Sequence, residues 1–236
     1  MIAMTSSPAS FNRIGLSIPP LENGDRLTRL EFERRYTAMP DLKKAELIEG
    51  IVYMASPLHF EPHAEPHADL MIWLGNYKVA TPGVRLGDNP TVRLDQGNEP
   101  QPDAVLLIDA RCGGQSYIGA DGYIEGAPEL VVEIAASSAA IDLRDKKDAY
   151  CRNGVREYLV WQVFDQKLDW FYRQDEQYVS LLPNEKGIIC SQTFPGLWLS
   201  IPALLAGEMQ QVLSVLQTGL NSPEHTRFVQ RLTQSG

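Results

Sequence analysis

The sequence predicts one mixed α/β domain, and three observations carry that expectation. Residues 104–108 (AVLLI) and 130–134 (LVVEI) are continuous apolar runs, the pattern of central strands buried on both faces. Residues 67–80 set Leu70, Leu74 and Tyr77 on one stripe, as in a helix that covers a sheet. Segments 157–163, 167–172 and 177–182 alternate like strands of a meander exposed on one side. A chain of 236 residues buries roughly 70% of its unfolded surface, enough for one sizeable core. With 44% hydrophobic and 22% charged residues, wholesale disorder is excluded.

The elements follow in order. Residues 1–24 mix Ser, Pro and Gly around Pro19 and Pro20 and read as a flexible tail. Thr28 and Glu31 have capping-box spacing, opening a helix to about residue 39, which Pro40 ends. Residues 45–55 read as two strands joined at Glu49 and Gly50, where glycine accepts a positive φ. Residues 57–66 form a Pro/His-rich loop before the 67–80 helix, and short strands are expected at 84–86 and 91–94. Gly-rich residues 112–126 read as a loop between the two apolar runs. Residues 142–153 are helix-compatible and stop at Gly154, the position of a left-handed C-cap. Amphipathic helices at 204–220 and 224–233 close the chain, so the expected division is tail 1–24, core 25–205 and C-terminal helical extension 206–236.

Charge narrows the functional classes. Lys and Arg number 21 against 30 Asp and Glu, a net charge of −9, which excludes a protein held on nucleic acid by bulk charge. Cys112, Cys151 and Cys190 form no C-x-x-C pair, as expected of reduced thiols in a cytoplasmic protein. No apolar run reaches the ~20 residues a membrane helix needs, so no membrane partner is expected.

The chemistry concentrates in the apolar runs. Asp103 stands just before the first, and Glu133 sits inside the second between Val132 and Ile134. Ionised carboxylates in such surroundings need a cation or a metal, and two of them on neighbouring strands suit a hard ion such as Mg²⁺. The plainer readings are that Asp103 caps a turn after Pro102 and that Glu133 pairs with an arginine. Asp142, Lys146 and Tyr150 recur every four residues and share a helical face, which would aim Lys146 at the carboxylates if that helix packs beside the second run. Its plainer reading is a solvated Asp142/Lys146 pair. Lys147 lies about 100° round the helix and is the weaker candidate. His59, His63 and His67 are spaced like a metal-binding stripe, but Pro62 and Pro66 should interrupt one helix through all three; a zinc hydrolase remains a minor reading. More simply, a histidine such as His67 would touch substrate at the site's border.

The order ELIEG from Glu46 to Gly50, Pro102 and Asp103, VEI around Glu133, then Asp142, Lys146, Tyr150, Gly154 and Tyr158, resembles a bacterial family of restriction-endonuclease-like proteins, a domain of unknown function in the PD-(D/E)XK nuclease superfamily. The likeness spans residues 25–205. It implies a restriction-endonuclease-like core: a central mixed β-sheet flanked by helices, with an N-terminal helix and a C-terminal helical extension. It implies Asp103 and Glu133 as ligands of Mg²⁺ (or Mn²⁺), with Glu46 completing the acidic site and Glu49 left to the turn. In the superfamily's Glu-x-Lys the lysine follows two residues after the acid, where this sequence has Ala135; Lys146 on the next helix takes its place.

The expected activity is a Mg²⁺-dependent endonuclease hydrolysing DNA phosphodiesters. Asp103, Glu133 and Lys146 are its main catalytic residues, Glu46 supports them, and His67 and Tyr150 are substrate contacts. Residues 142–157 hold five cations against four acids, so the binding expected is weak, metal-dependent and salt-sensitive. A homodimer is compatible with cutting both strands. The alternatives are a catalytically inactive nuclease-fold binding or assembly module, and a buried structural ion network.

Overall fold

The computed structural model describes residues 18–54, 59–136 and 138–235, and the rest of the expected tail, residues 1–17, lies outside them. At the described end of that tail, Leu21 is buried and the Gly24 N–H donates to the Val52 carbonyl. In chain order the elements are α1 (Arg29–Thr37), β1 (Ala45–Ile48), β2 (Ile51–Met54), a π-helical turn (Phe60–Ala64), α2 (Glu65–Ala80), β3 (Val84–Asp88), β4 (Val92–Arg93), β5 (Ala104–Ile108), β6 (Tyr117–Ile118), β7 (Ile124–Glu125) and β8 (Leu130–Ala135). There follow α3 (Ala139–Ile141), a second π-helical turn (Asp142–Lys146), α4 (Lys147–Asn153), β9 (Glu157–Gln162), β10 (Lys167–Gln174), β11 (Gln177–Ser180), β12 (Ile188–Cys190), β13 (Trp198–Ser200), α5 (Ile201–Leu205), α6 (Met209–Leu220) and α7 (Pro223–Ser235).

The central sheet is mixed, with strand order β11-β10-β9-β8-β5-β3. Its neighbours are antiparallel except β8 and β9, which run parallel. A parallel pair needs a crossover, and α3, the second π-turn and α4 supply it. Both apolar runs are buried along their whole length. Period-two alternation sends Ala104, Leu106, Leu130, Val132 and Ile134 to the face covered by α2 and the C-terminal helices, while Val105 and Val131 pack with Tyr150 and Tyr158 on the other. Leu70, Trp73, Leu74 and Tyr77 fix α2 on the sheet, with Trp73 edge-on to Trp170 and its Nε1 donating to the Trp198 carbonyl at 3.0 Å. Gly219 lets α6 approach β13 so closely that a Cβ there would meet the Gly196 carbonyl oxygen. No helix among the described residues is long and apolar enough to cross a membrane.

The structure corrects several local expectations. Thr28 is the N-cap of α1 but its hydroxyl makes no capping bond, and the Glu31 carboxylate accepts from Arg34 and Arg35. Helix starts inside the Pro/His segment: the Ala64 and Glu65 N–H groups donate to the His59 and Phe60 carbonyls, a π-turn that requires nothing from the missing N–H groups of Pro62 and Pro66. Within 112–126, β6 and β7 pair, and β4 joins β7 in a small sheet. β9 is buried on both faces rather than one, and its Glu157 is held by Trp170 Nε1, the Ser191 hydroxyl and the Gln192 and Thr193 N–H groups. Gly207, at φ 72°, breaks the expected 204–220 helix into α5 and α6. The Glu49–Gly50 turn is as expected, with φ 52° and 72°.

One buried acid gives the fold a pH dependence. Burial, then the neighbouring Glu33 carboxylate, push the Glu99 carboxyl up to about 8 against the pull of Arg93 and Arg29. The folded chain therefore keeps a proton that the unfolded chain releases near 4.5, so stability falls as pH rises from about 4.5 to about 8. Thermal denaturation across that range should show a smaller fall for Glu99→Gln than for wild type; equal falls would exclude Glu99 as the source.

Candidate active site

The geometry starts from strand register. β5 and β8 pair Ala104 with Val132 and Val105 with Val131, so one further step sets Asp103 opposite Glu133 on the α4 side of the sheet. Asp103 Oδ2 accepts the Ile134 N–H at 2.7 Å, which fixes the carboxylate against the β8 backbone. Asp103 and Glu133 are each 3% exposed.

The crossover brings the lysine. Lys146 Nζ donates to Glu133 Oε1 at 3.0 Å and lies 3.0 Å from Glu46 Oε1 and 3.5 Å from Asp142 Oδ1. Tyr150, one turn on, donates its hydroxyl to the same Glu133 oxygen at 3.0 Å. Asp142 and Lys146 bound the second π-turn, and both are buried. Ser138 donates to Asp142 Oδ2, and Tyr158 donates to the Asp142 carbonyl, so the turn is anchored from two sides. Glu46 comes from β1, and its Oε1 also accepts the Gln101 N–H at 2.7 Å, tying the hairpin to the segment that leads into Asp103.

The open side is basic. Lys44 Nζ lies 3.7 Å and His63 Nε2 3.4 Å from Asp103 Oδ1, and His67 Nε2 lies 3.1 Å from the Asp103 carbonyl oxygen and 3.2 Å from Asp88 Oδ1. Burial pushes Asp103 up, but the His63 hydrogen bond, Lys44 and the Ile134 amide outweigh it and hold the carboxyl below its ordinary range. Glu133 goes the other way: burial, reinforced by Asp142, Asp103 and Glu46, raises it to about 8 despite Lys146. Burial also raises Asp142. Burial alone would discharge Lys146, yet Glu133, Glu46 and Asp142 raise it well above the usual lysine range, so the ammonium keeps its charge.

Glu46, Asp103, Glu133 and Lys146, singled out from the sequence, are thus brought together, with Glu49 apart in its turn on Arg152. The solvated Asp142/Lys146 pair is not what forms, since both are buried. Tyr150, expected as a substrate contact, is fully buried and serves Glu133. His67 stands at the rim. Lys147 turns away, its ammonium 3.8 Å from the Phe171 ring centroid. Sequence reasoning placed Asp142 on the right face without giving it a role, and missed Lys44, which no local pattern marks. Among the described residues no three His, Cys, Asp or Glu side chains are grouped to hold a metal, the histidines included.

Removing the central cation leaves three acids to share a buried space. Lys146→Met should cost about 3–5 kcal/mol in urea denaturation, with part of the loss recovered when Glu133→Gln is added. Additive losses would show that the two side chains are not coupled.

Comparison with known proteins bears on the family and the fold. The model of the Uma2 family, described as putative restriction endonuclease, matches residues 30–202. The crystal structure of a putative nuclease belonging to DUF820 from Anabaena variabilis ATCC 29413 superposes with a TM-score of 0.54 at 14% identity, covering 73% of this chain and 96% of that one. At that identity the likeness concerns the fold. No curated protein matches the chain. Because the family model covers most of the sequence, from α1 through β13, this chain belongs to the Uma2 family of restriction-endonuclease-like proteins.

Proposed function

We propose that the protein is a Mg²⁺-dependent endonuclease that hydrolyses DNA phosphodiesters at the Glu46, Asp103, Glu133 and Lys146 cluster. The observation that carries this reading is a buried ammonium within 3.0 Å of acids from two different elements, beside a third acid opposite one of them on the next strand. The donor chemistry suits a hard cation: Asp103 and Glu133 offer carboxylate oxygens from adjacent strands, and Mg²⁺ is commonly held by one or two carboxylates, with waters completing its shell. Bound there, Mg²⁺ or Mn²⁺ would polarise a phosphoryl oxygen and favour hydroxide over water.

The chain's own groups supply the rest. Lys146 Nζ, kept charged by its acids, orients an attacking water and stabilises negative charge developing on phosphate. Glu46 shares that ammonium and is placed to accept a hydrogen bond from the water. Tyr150 holds Glu133 in place from behind, and His67 at the rim faces the approaching backbone. With a net charge of −9 the protein lacks strong non-specific affinity, so DNA binding should be weak, metal-dependent and salt-sensitive.

A second reading, a nuclease-fold binding module without turnover, is favoured by the ammonium already being engaged by both glutamates. Plasmid nicking separates the two. Wild type should nick supercoiled DNA only with Mg²⁺ or Mn²⁺, and Asp103→Asn, which removes a direct ligand, should lower the rate by more than the roughly 10- to 100-fold typical of losing a group behind a ligand. Equal nicking by both proteins would reject the assignment, and DNA binding without nicking by wild type would favour the module.

A further inference from the structure

Asp103 has two oxygens with different employment. Oδ2 accepts the Ile134 N–H at 2.7 Å and faces the β8 backbone, which leaves Oδ1 as the oxygen turned toward the open side of the site. Oδ1 is where Lys44, next to β1, and His63, in the first π-turn, both point. Among the described residues neither makes another ion pair, and both are partly open to solvent, with side chains 26% and 12% exposed against 4% for Asp103. Neither belongs to the central sheet.

We infer that Lys44 and His63 form a phosphate clamp that holds the cation-binding oxygen of Asp103 until a divalent ion displaces them, after which they bind the DNA backbone. This rests on the cation reading proposed above. The displaced donors stay at the mouth of the site, where a lysine ammonium acts as a point charge for a phosphodiester oxygen and an imidazole N–H as a second donor. In the free protein they compete with the ion; with DNA present, the phosphate occupies them and frees Asp103. Ion and DNA therefore tighten each other's binding by the same factor, as linkage requires.

Calorimetric titration with Mn²⁺ alone tests the clamp without relying on turnover. Lys44→Met should bind Mn²⁺ about three- to fivefold tighter than wild type, the range expected from releasing a partly exposed ion pair, and His63→Ala should shift in the same direction. Lys43→Met, which removes an equal charge from an exposed neighbour, should match wild type. Early-time anisotropy of a labelled DNA duplex should show Mn²⁺ tightening DNA binding in wild type and much less in Lys44→Met. If Lys44→Met binds Mn²⁺ no tighter than wild type and Lys43→Met, the clamp is overturned while the cation site stands; no Mn²⁺ binding by any of the four proteins overturns both.

Discussion

The ammonium of Lys146 is the point on which the rest of the site depends. It lies within 3.0 Å of acids from β1 and β8 and within 3.5 Å of a third from its own π-turn, all of them buried or nearly so. In that environment repulsion among carboxylates is strong, and one positive charge at their centre decides whether they remain together. The β1–β2 hairpin pairs with no strand of the central sheet, so Glu46 and Lys146 form one of the polar ties that set where it rests. The crossover is tied in the same way, through Glu133 on the strand it leaves.

Beyond the site, the protein repeatedly uses buried carboxylates to join separate backbone segments. Glu46 accepts from the Gln101 amide, Asp103 from Ile134, Glu129 from both Ile108 and Gln115, and Glu157 from Gln192 and Thr193. Each acid satisfies amides that strand pairing leaves over, and each amide offsets part of the cost of burying the acid. Two of the prospective catalytic acids, Glu46 and Asp103, are thus members of a structural series. They differ from Glu129 and Glu157 in having a cationic side chain within 4 Å as well as amides.

Much of this was legible in the sequence. Glu133 stood out because its neighbours are apolar and a lone acid there demands a partner, and Lys146 because its spacing from Asp142 and Tyr150 puts all three on one face. The choice of Glu46 over Glu49 came from family likeness, and the coordinates explain it: Glu46 reaches Lys146 while Glu49 occupies the turn. What could not be read depends on distance along the chain. Lys44 meets Asp103, and Glu157 meets residues beyond β11, through folding alone, so neither leaves a periodic trace. The π-turns were hidden too, since one extra residue in a turn barely alters the spacing of apolar positions. The β12–β13 hairpin is too short to alternate visibly.

The crossover between the parallel strands carries one more implication. Glu133 belongs to the middle of the sheet, whereas Lys146 ends a π-turn with an irregular hydrogen-bond ladder. The two halves of the same ion pair therefore sit on elements of different backbone regularity. A local opening of the crossover would separate the charge from its acid while leaving the sheet intact, so assembly of the site and stability of the fold are separable quantities.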